Sequence, residues 1–132
     1  MVRAGHDGAA LMGRRISQRQ ARGQNALRAL IESYLSDAHL REVESGCVVA
    51  ALASEMHRQT LPSLELSAKC VRGLVAVVQQ ALPASGTPEQ AMVIASTLVG
   101  ALQLARTLGA NAQGKDLLAA ARSALLAQYD PA

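Results

Sequence analysis

The sequence predicts an all-α fold of five to six helices, and three observations carry that expectation. Of 132 residues, 26 are Ala and 19 are Leu, which are among the strongest helix formers. Only 2% are aromatic, with Tyr34 and Tyr129 but no Trp or Phe, which disfavours sheets built from aromatic and β-branched strands. From Gln24 onward, apolar residues recur three and four apart, the period of a helix with one buried face. The length suits one domain. A hydrophobic fraction of 50% excludes a disordered chain.

Residues 1–23 are basic and poorly patterned. Gly5, Gly8, Gly13 and Gly23 interrupt them, each worth about 1 kcal/mol against a helix, so only a short helix over Ala9–Gln20 is expected. Residues 24–132 are expected to form the helical domain proper. The first regular helix runs over Gln24–Asp37, with Leu27, Leu30, Ile31, Tyr34 and Leu35 on one face. A polar connection follows over Asp37–Ser45. The second helix spans Gly46–Gln59, and Pro62 is expected to separate it from the third. The third spans Ser63–Leu82, with Leu64, Ala68, Val71, Val75, Val78 and Leu82 as its inner stripe.

Thr87-Pro88-Glu89-Gln90 carries the signature of a helix start, with a capping threonine, a proline at the first position and a capping-box glutamine. The fourth helix runs from there to Leu108, with Gly109 as its stop. No charge stands between Glu89 and Arg106. A helix apolar nearly all round is buried on both sides, and a second subunit is the economical way to achieve that. The fifth helix spans Lys115–Tyr129, after a turn at Asn111–Gly114.

Charge is unevenly placed. Six arginines against Asp7 give residues 1–28 a net +5, while the remainder carries −2. The start of the chain is therefore either a solvated terminus or a phosphate-binding arm. The shortage of aromatics excludes the stacking platforms of many RNA and single-strand binders. Cys47 and Cys70 make no disulfide framework and read as buried thiols. No signal-peptide core and no long unbroken apolar run is present. A cytoplasmic chain without membrane contact is expected.

Chemistry-bearing motifs are sparse. His6, His39 and His57 belong to no zinc-ligand spacing, and Glu55 and His57 point about 200° apart on a helix. Neither an enzyme nor a metal or other cofactor is expected. Helical bundles do hold ligands between helices. Tyr34, Cys47, Met56, His57 and Cys70 are the candidate pocket residues, though Tyr34, Cys47, Met56 and Cys70 read more readily as core packing and His57 as a surface or satisfied histidine. Ala91, Ala95, Leu98, Leu102, Ala105, Leu118 and Leu125 are the candidate dimer interface, with Gln103 hydrogen-bonding across it.

The segment Ala26-Leu-Arg-Ala-Leu-Ile-Glu-Ser-Tyr-Leu-Ser36, then His39, then Gly46-Cys47-Val-Val-Ala-Ala-Leu52 with Glu55, resembles the C-terminal regulatory domain of TetR/AcrR-type transcriptional regulators. Val99-Gly-Ala-Leu-Gln-Leu-Ala-Arg106 and Leu117-Leu-Ala-Ala-Ala-Arg122 resemble the dimerisation helices of the same family. The likeness covers about residues 24–129. It implies an effector-binding domain whose last two helices form a four-helix bundle across a two-fold axis. It also implies an apolar small-molecule effector held by the earlier helices. Met1–Gly23 does not resemble the family's helix-turn-helix, so DNA binding is expected only if such a head is supplied. Two alternatives stand beside this reading: a helical module that heterodimerises with an intact regulator, and a nucleic-acid binder acting through its Arg-rich arm.

Overall fold

The computed structural model describes residues 2–42 and 61–130, with side chains at 10–42 and 65–130. Among the described residues the chain is all-helical, in six helices: α1 (Val2–Ala21), α2 (Ala26–Tyr34), α3 (Asp37–Arg41), α4 (Leu61–Ala81), α5 (Pro88–Leu108) and α6 (Ala112–Tyr129). The expected second helix, Gly46–Gln59, lies outside the described residues.

The basic start is a 20-residue helix rather than a loose arm. Tertiary contact outweighs its glycines. Ile16 packs against the core, Arg15 donates to the two Glu42 carboxylate oxygens through Nη1 and Nη2, and Arg19 meets Glu32 at 3.1 Å. Helix α1 lies along α2.

The expected helix Gln24–Asp37 is found as α2, and the expected polar connection Asp37–Ser45 instead begins with the short helix α3. Asn25 caps α2 by accepting from the Arg28 N–H at 2.8 Å. The chain leaves the helix at Leu35, and Ser36 caps α3 through the His39 N–H at 3.1 Å. A serine hydroxyl that can satisfy the next helix's first donors favours a new start over continuation.

Helix α4 begins at Leu61. Pro62 sits in its first turn, where a missing N–H breaks no bond. Val75, Val78 and Leu82 of the expected inner stripe face the core, while Val71 is exposed and Leu74 joins them. Val78 is buried, and the other three pack partly on the core. Thr87 and Gln90 form the full capping box of α5, at 3.0 and 3.1 Å. Helix α6 starts at Ala112, three residues before the expected Lys115, because Asn111 caps it through the Gly114 N–H at 3.1 Å. The elbow between α5 and α6 depends on glycine twice. Gly109 has φ 109°, a region that L side chains avoid. A Cβ on Gly114 would collide with the Gly109 carbonyl oxygen and stand 2.9 Å from that of Ala105.

The core forms where α5 meets α2, α4 and α6. Ala91, Ile94, Ala95, Leu98, Ala101, Leu102 and Ala105 of α5 pack with Leu27, Leu30, Ile31, Tyr34 and Leu35, and with Leu118 and Leu125 of α6. This corrects the expected dimer interface. Ala91, Ala95, Leu98, Leu102, Ala105, Leu118 and Leu125 are all 5% exposed or less within one chain, so none can reach a partner. Helix α5 is long and apolar enough to cross a membrane by length and composition, but its inner face is this core.

Charged side chains from α5 and α6 close the α2–α3 corner. The last carbonyls of a helix lack intrahelical partners. Here Arg122 of α6 donates to the Leu35 carbonyl at 2.5 Å. Arg106 of α5 donates to the carbonyls of His39 at 2.8 Å and Glu42 at 3.0 Å. His39 meets the Tyr34 carbonyl at 2.7 Å through Nδ1. A carbonyl only accepts, so Nδ1 carries the proton. The imidazole also stands edge-on to the Tyr34 ring at 4.8 Å. Burial pushes His39 down from 6.5 to about 4; Arg106 and Arg15 act in the same direction, against the Tyr34 carbonyl and Glu42.

Three outcomes are expected. Leu98→Ala should cost about 2–5 kcal/mol in urea unfolding, as for other fully buried leucines. Gly114→Ala should lower the melting temperature, because the elbow must open to admit the methyl. His39 is neutral when folded and protonates when unfolded, so stability should fall as pH drops from about 6.5 to about 4, by up to about 3 kcal/mol. Above that window His39 adds no pH dependence. Comparing urea midpoints of wild type and His39→Gln across the window isolates its share, and parallel curves would show that His39 is not the titrating group.

Candidate functional site

Two surfaces stand out among the described residues: a polar cleft beside the α2–α3 corner, and the outer face of α5.

The cleft lies between α1 and the corner. Its narrower part, near 170 Å³, is walled by Arg15, Gln18, Arg19, Arg22, Ser33 and Ser36. A wider part, near 410 Å³, shares Arg19, Ser36 and Ala38 and adds Glu32, Asp37 and Arg122. Arg15, Arg19 and Arg22 recur four and three apart, so α1 and the turn after it present them on one side. Glu32 is the local hub, accepting from Arg19 at 3.1 Å, Gln24 at 2.9 Å and Arg28 at 2.8 Å. The Arg15 guanidinium holds the Glu42 carboxyl below its ordinary range. These pairs fix Arg15 and Arg19 in place. Arg22 makes no ion pair among the described residues. Ser33, 1% exposed, has a buried Oγ without a hydrogen-bond partner among them.

The outer face of α5 is apolar and uncharged. Met92, Val93, Leu104 and Leu108 are 48%, 52%, 58% and 42% exposed. Ser96, Gly100 and Gln103 lie between them. A Cβ at Gly100 would meet nothing within 4 Å, so packing within the chain does not explain the glycine.

Of the candidate pocket residues, Tyr34 and Cys70 are among the described ones. Tyr34 is a core residue, 3% exposed, with the His39 ring edge-on to it. Cys70 is a half-buried free thiol on α4. Neither lines the cleft. Cys47, Met56 and His57 lie outside the described residues. Gln103 is half-buried on the outer side of α5. Among the described residues, no three His, Cys, Asp or Glu side chains stand close enough to hold a metal ion.

The arginine wall belongs to the basic start of the sequence, and its 15, 19, 22 spacing is helical. Ser33 had no such signal, since nothing local shows that a helical serine will lack a partner. Comparisons with protein-family models, with curated proteins and with solved structures find no match to this chain.

Proposed function

We propose that this chain is the effector-binding and dimerisation core of a TetR-type regulator, assembling as a homodimer in the cytoplasm through the outer face of α5. The observation that carries the dimer is the uncharged stripe of Met92, Val93, Leu104 and Leu108 around Ser96 and Gly100. In a two-fold contact a surface meets its own copy. A stripe without charge meets no like charge there, and small residues at its centre let two α5 helices approach closely. The all-helical order and the likeness of residues 26–55, 99–106 and 117–122 to the family support the wider reading.

Area decides how far the contact extends. A stable interface needs roughly 800 Å² per partner. One helix face roughly 30 Å long and 10 Å wide is too small. The contact therefore includes α6, whose exposed Ala120, Ser123, Ala124 and Ala127 are small and uncharged. An apolar effector held by the earlier helices belongs to the same proposal. The Arg-rich arm is the weaker alternative, because Arg15 and Arg19 are engaged by Glu42 and Glu32.

Sedimentation equilibrium should give a dimer at micromolar concentration. Leu104→Glu should give a folded monomer with wild-type circular dichroism. Leu98→Glu should instead unfold the chain, because that carboxylate would be buried in the core. A monomeric wild type, or a Leu104→Glu protein that remains dimeric, would overturn the interface.

A further inference from the structure

The outer face of α5 is arranged about a centre. With about 100° of turn per residue, Val93, Ser96, Gly100, Leu104 and Thr107 fall within about 40° of one line along the helix, with Gly100 in the middle. Val93, Ser96, Leu104 and Thr107 are exposed and Gly100 is half-buried. The hydroxyls of Ser96 and Thr107 donate to the Met92 and Gln103 carbonyls at 2.8 and 3.0 Å, so covering them strands no donor. Exposed Glu89 continues the line at the start of the helix.

A two-fold axis brings such a face onto its own copy in one of two ways. With the axis along the helices they run parallel, and every residue meets itself. Leu104 then packs on Leu104, Ser96 on Ser96, and Glu89 faces Glu89, a like-charge contact that disfavours association. With the axis across the helices they run antiparallel, and residues equally far to either side of the axis share a level. Centred on Gly100, that order sets Leu104 level with Ser96 and Val93 level with Thr107, so each apolar side chain meets a smaller or polar one. It also holds the two Glu89 carboxylates roughly 30 Å apart along the helices and lets the two helix dipoles oppose. A Cβ on Gly100 would meet nothing within 4 Å in its own chain. The chain's own packing therefore does not call for a residue that weakens a helix interior, whereas a second helix crossing at close range does.

We propose, resting on the homodimer reading above, that the two α5 helices pack antiparallel and cross at Gly100, with Leu104 of each copy seated beside Ser96 of the other.

The test is disulfide trapping in the full chain, in a Cys47→Ala/Cys70→Ala background that sediments as wild type. A disulfide joins Cα atoms about 4.4–6.8 Å apart. Ser96→Cys and Leu104→Cys should each stay unlinked when oxidised alone, because a residue four positions from the crossing lies about 12 Å along the helices from its own copy. Linked dimer should appear on a non-reducing gel only when the two proteins are mixed before oxidation. With the native cysteines kept, Gly100→Leu obstructs the crossing and should sediment as a monomer of wild-type helicity. Self-linking of the single variants, with no gain on mixing, overturns the antiparallel order in favour of a parallel pair. No link in any sample, or a dimeric Gly100→Leu protein, overturns the crossing point, while a dimeric wild type leaves the homodimer itself standing. A monomeric wild type overturns both.

Discussion

The corner between α2 and α3 is the constraint on which the rest of the architecture depends. Two helices end within a few residues of each other there, and each leaves carbonyls without intrahelical partners. Arg122 from α6, Arg106 from α5 and His39 from α3 satisfy them. These contacts join residues up to 87 positions apart. Hydrogen bonds to charged donors are about twice as strong as neutral ones, so the corner ties α5 and α6 to α2 at a defined register. Asp130, at the far end of α6, repeats the arrangement on Asn25 and Arg28 at the start of α2. Helix α2 is thereby held at both ends by the C-terminal helices.

The fold class and the strongest helix were legible in the sequence because local and global signals agree there. Thr87, Pro88 and Gln90 specify the start of α5 by hydrogen bonding that involves only neighbouring residues. The same locality explains the misses. Glycines in α1 argue against a helix until Ile16, Arg15 and Arg19 find partners on α2 and beside α3. The expected polar connection after α2 holds the short helix α3 because Ser36 can cap it. The apolar character of α5 was read correctly, but a helix apolar on two sides does not reveal which side faces its own chain. Ala91, Ala95, Leu98, Leu102 and Ala105 took the inside. They pair small residues with leucines, which fits α5 closely against α2, α4 and α6.

The described parts of the candidate site were legible to different degrees. The 15, 19, 22 spacing is visible in the chain, and so is the uncharged run from Gln90 to Ala105. The state of Ser33 is not, because hydrogen-bond satisfaction is a tertiary property. Tyr34 was singled out as a pocket residue for its polar tip, and the core took it because its ring stacks edge-on with His39.

Charge and apolar surface are segregated within the molecule. Glu32, Glu42 and Asp130 answer Arg15, Arg19 and Arg28 around α2, while the outer side of α5 carries no charge through its middle. Of the arginines among the first 28 residues, Arg15, Arg19 and Arg28 are thus taken up by carboxylates inside the fold. Arg22 lines the recess beside Arg15 and Arg19. Arg122 belongs both to the wider part of that recess and to the clamp on the Leu35 carbonyl. The same guanidinium thus stands at the polar surface and holds α6 in register with α2, so the geometry of the cleft and the placement of the C-terminal helices rest on a shared contact.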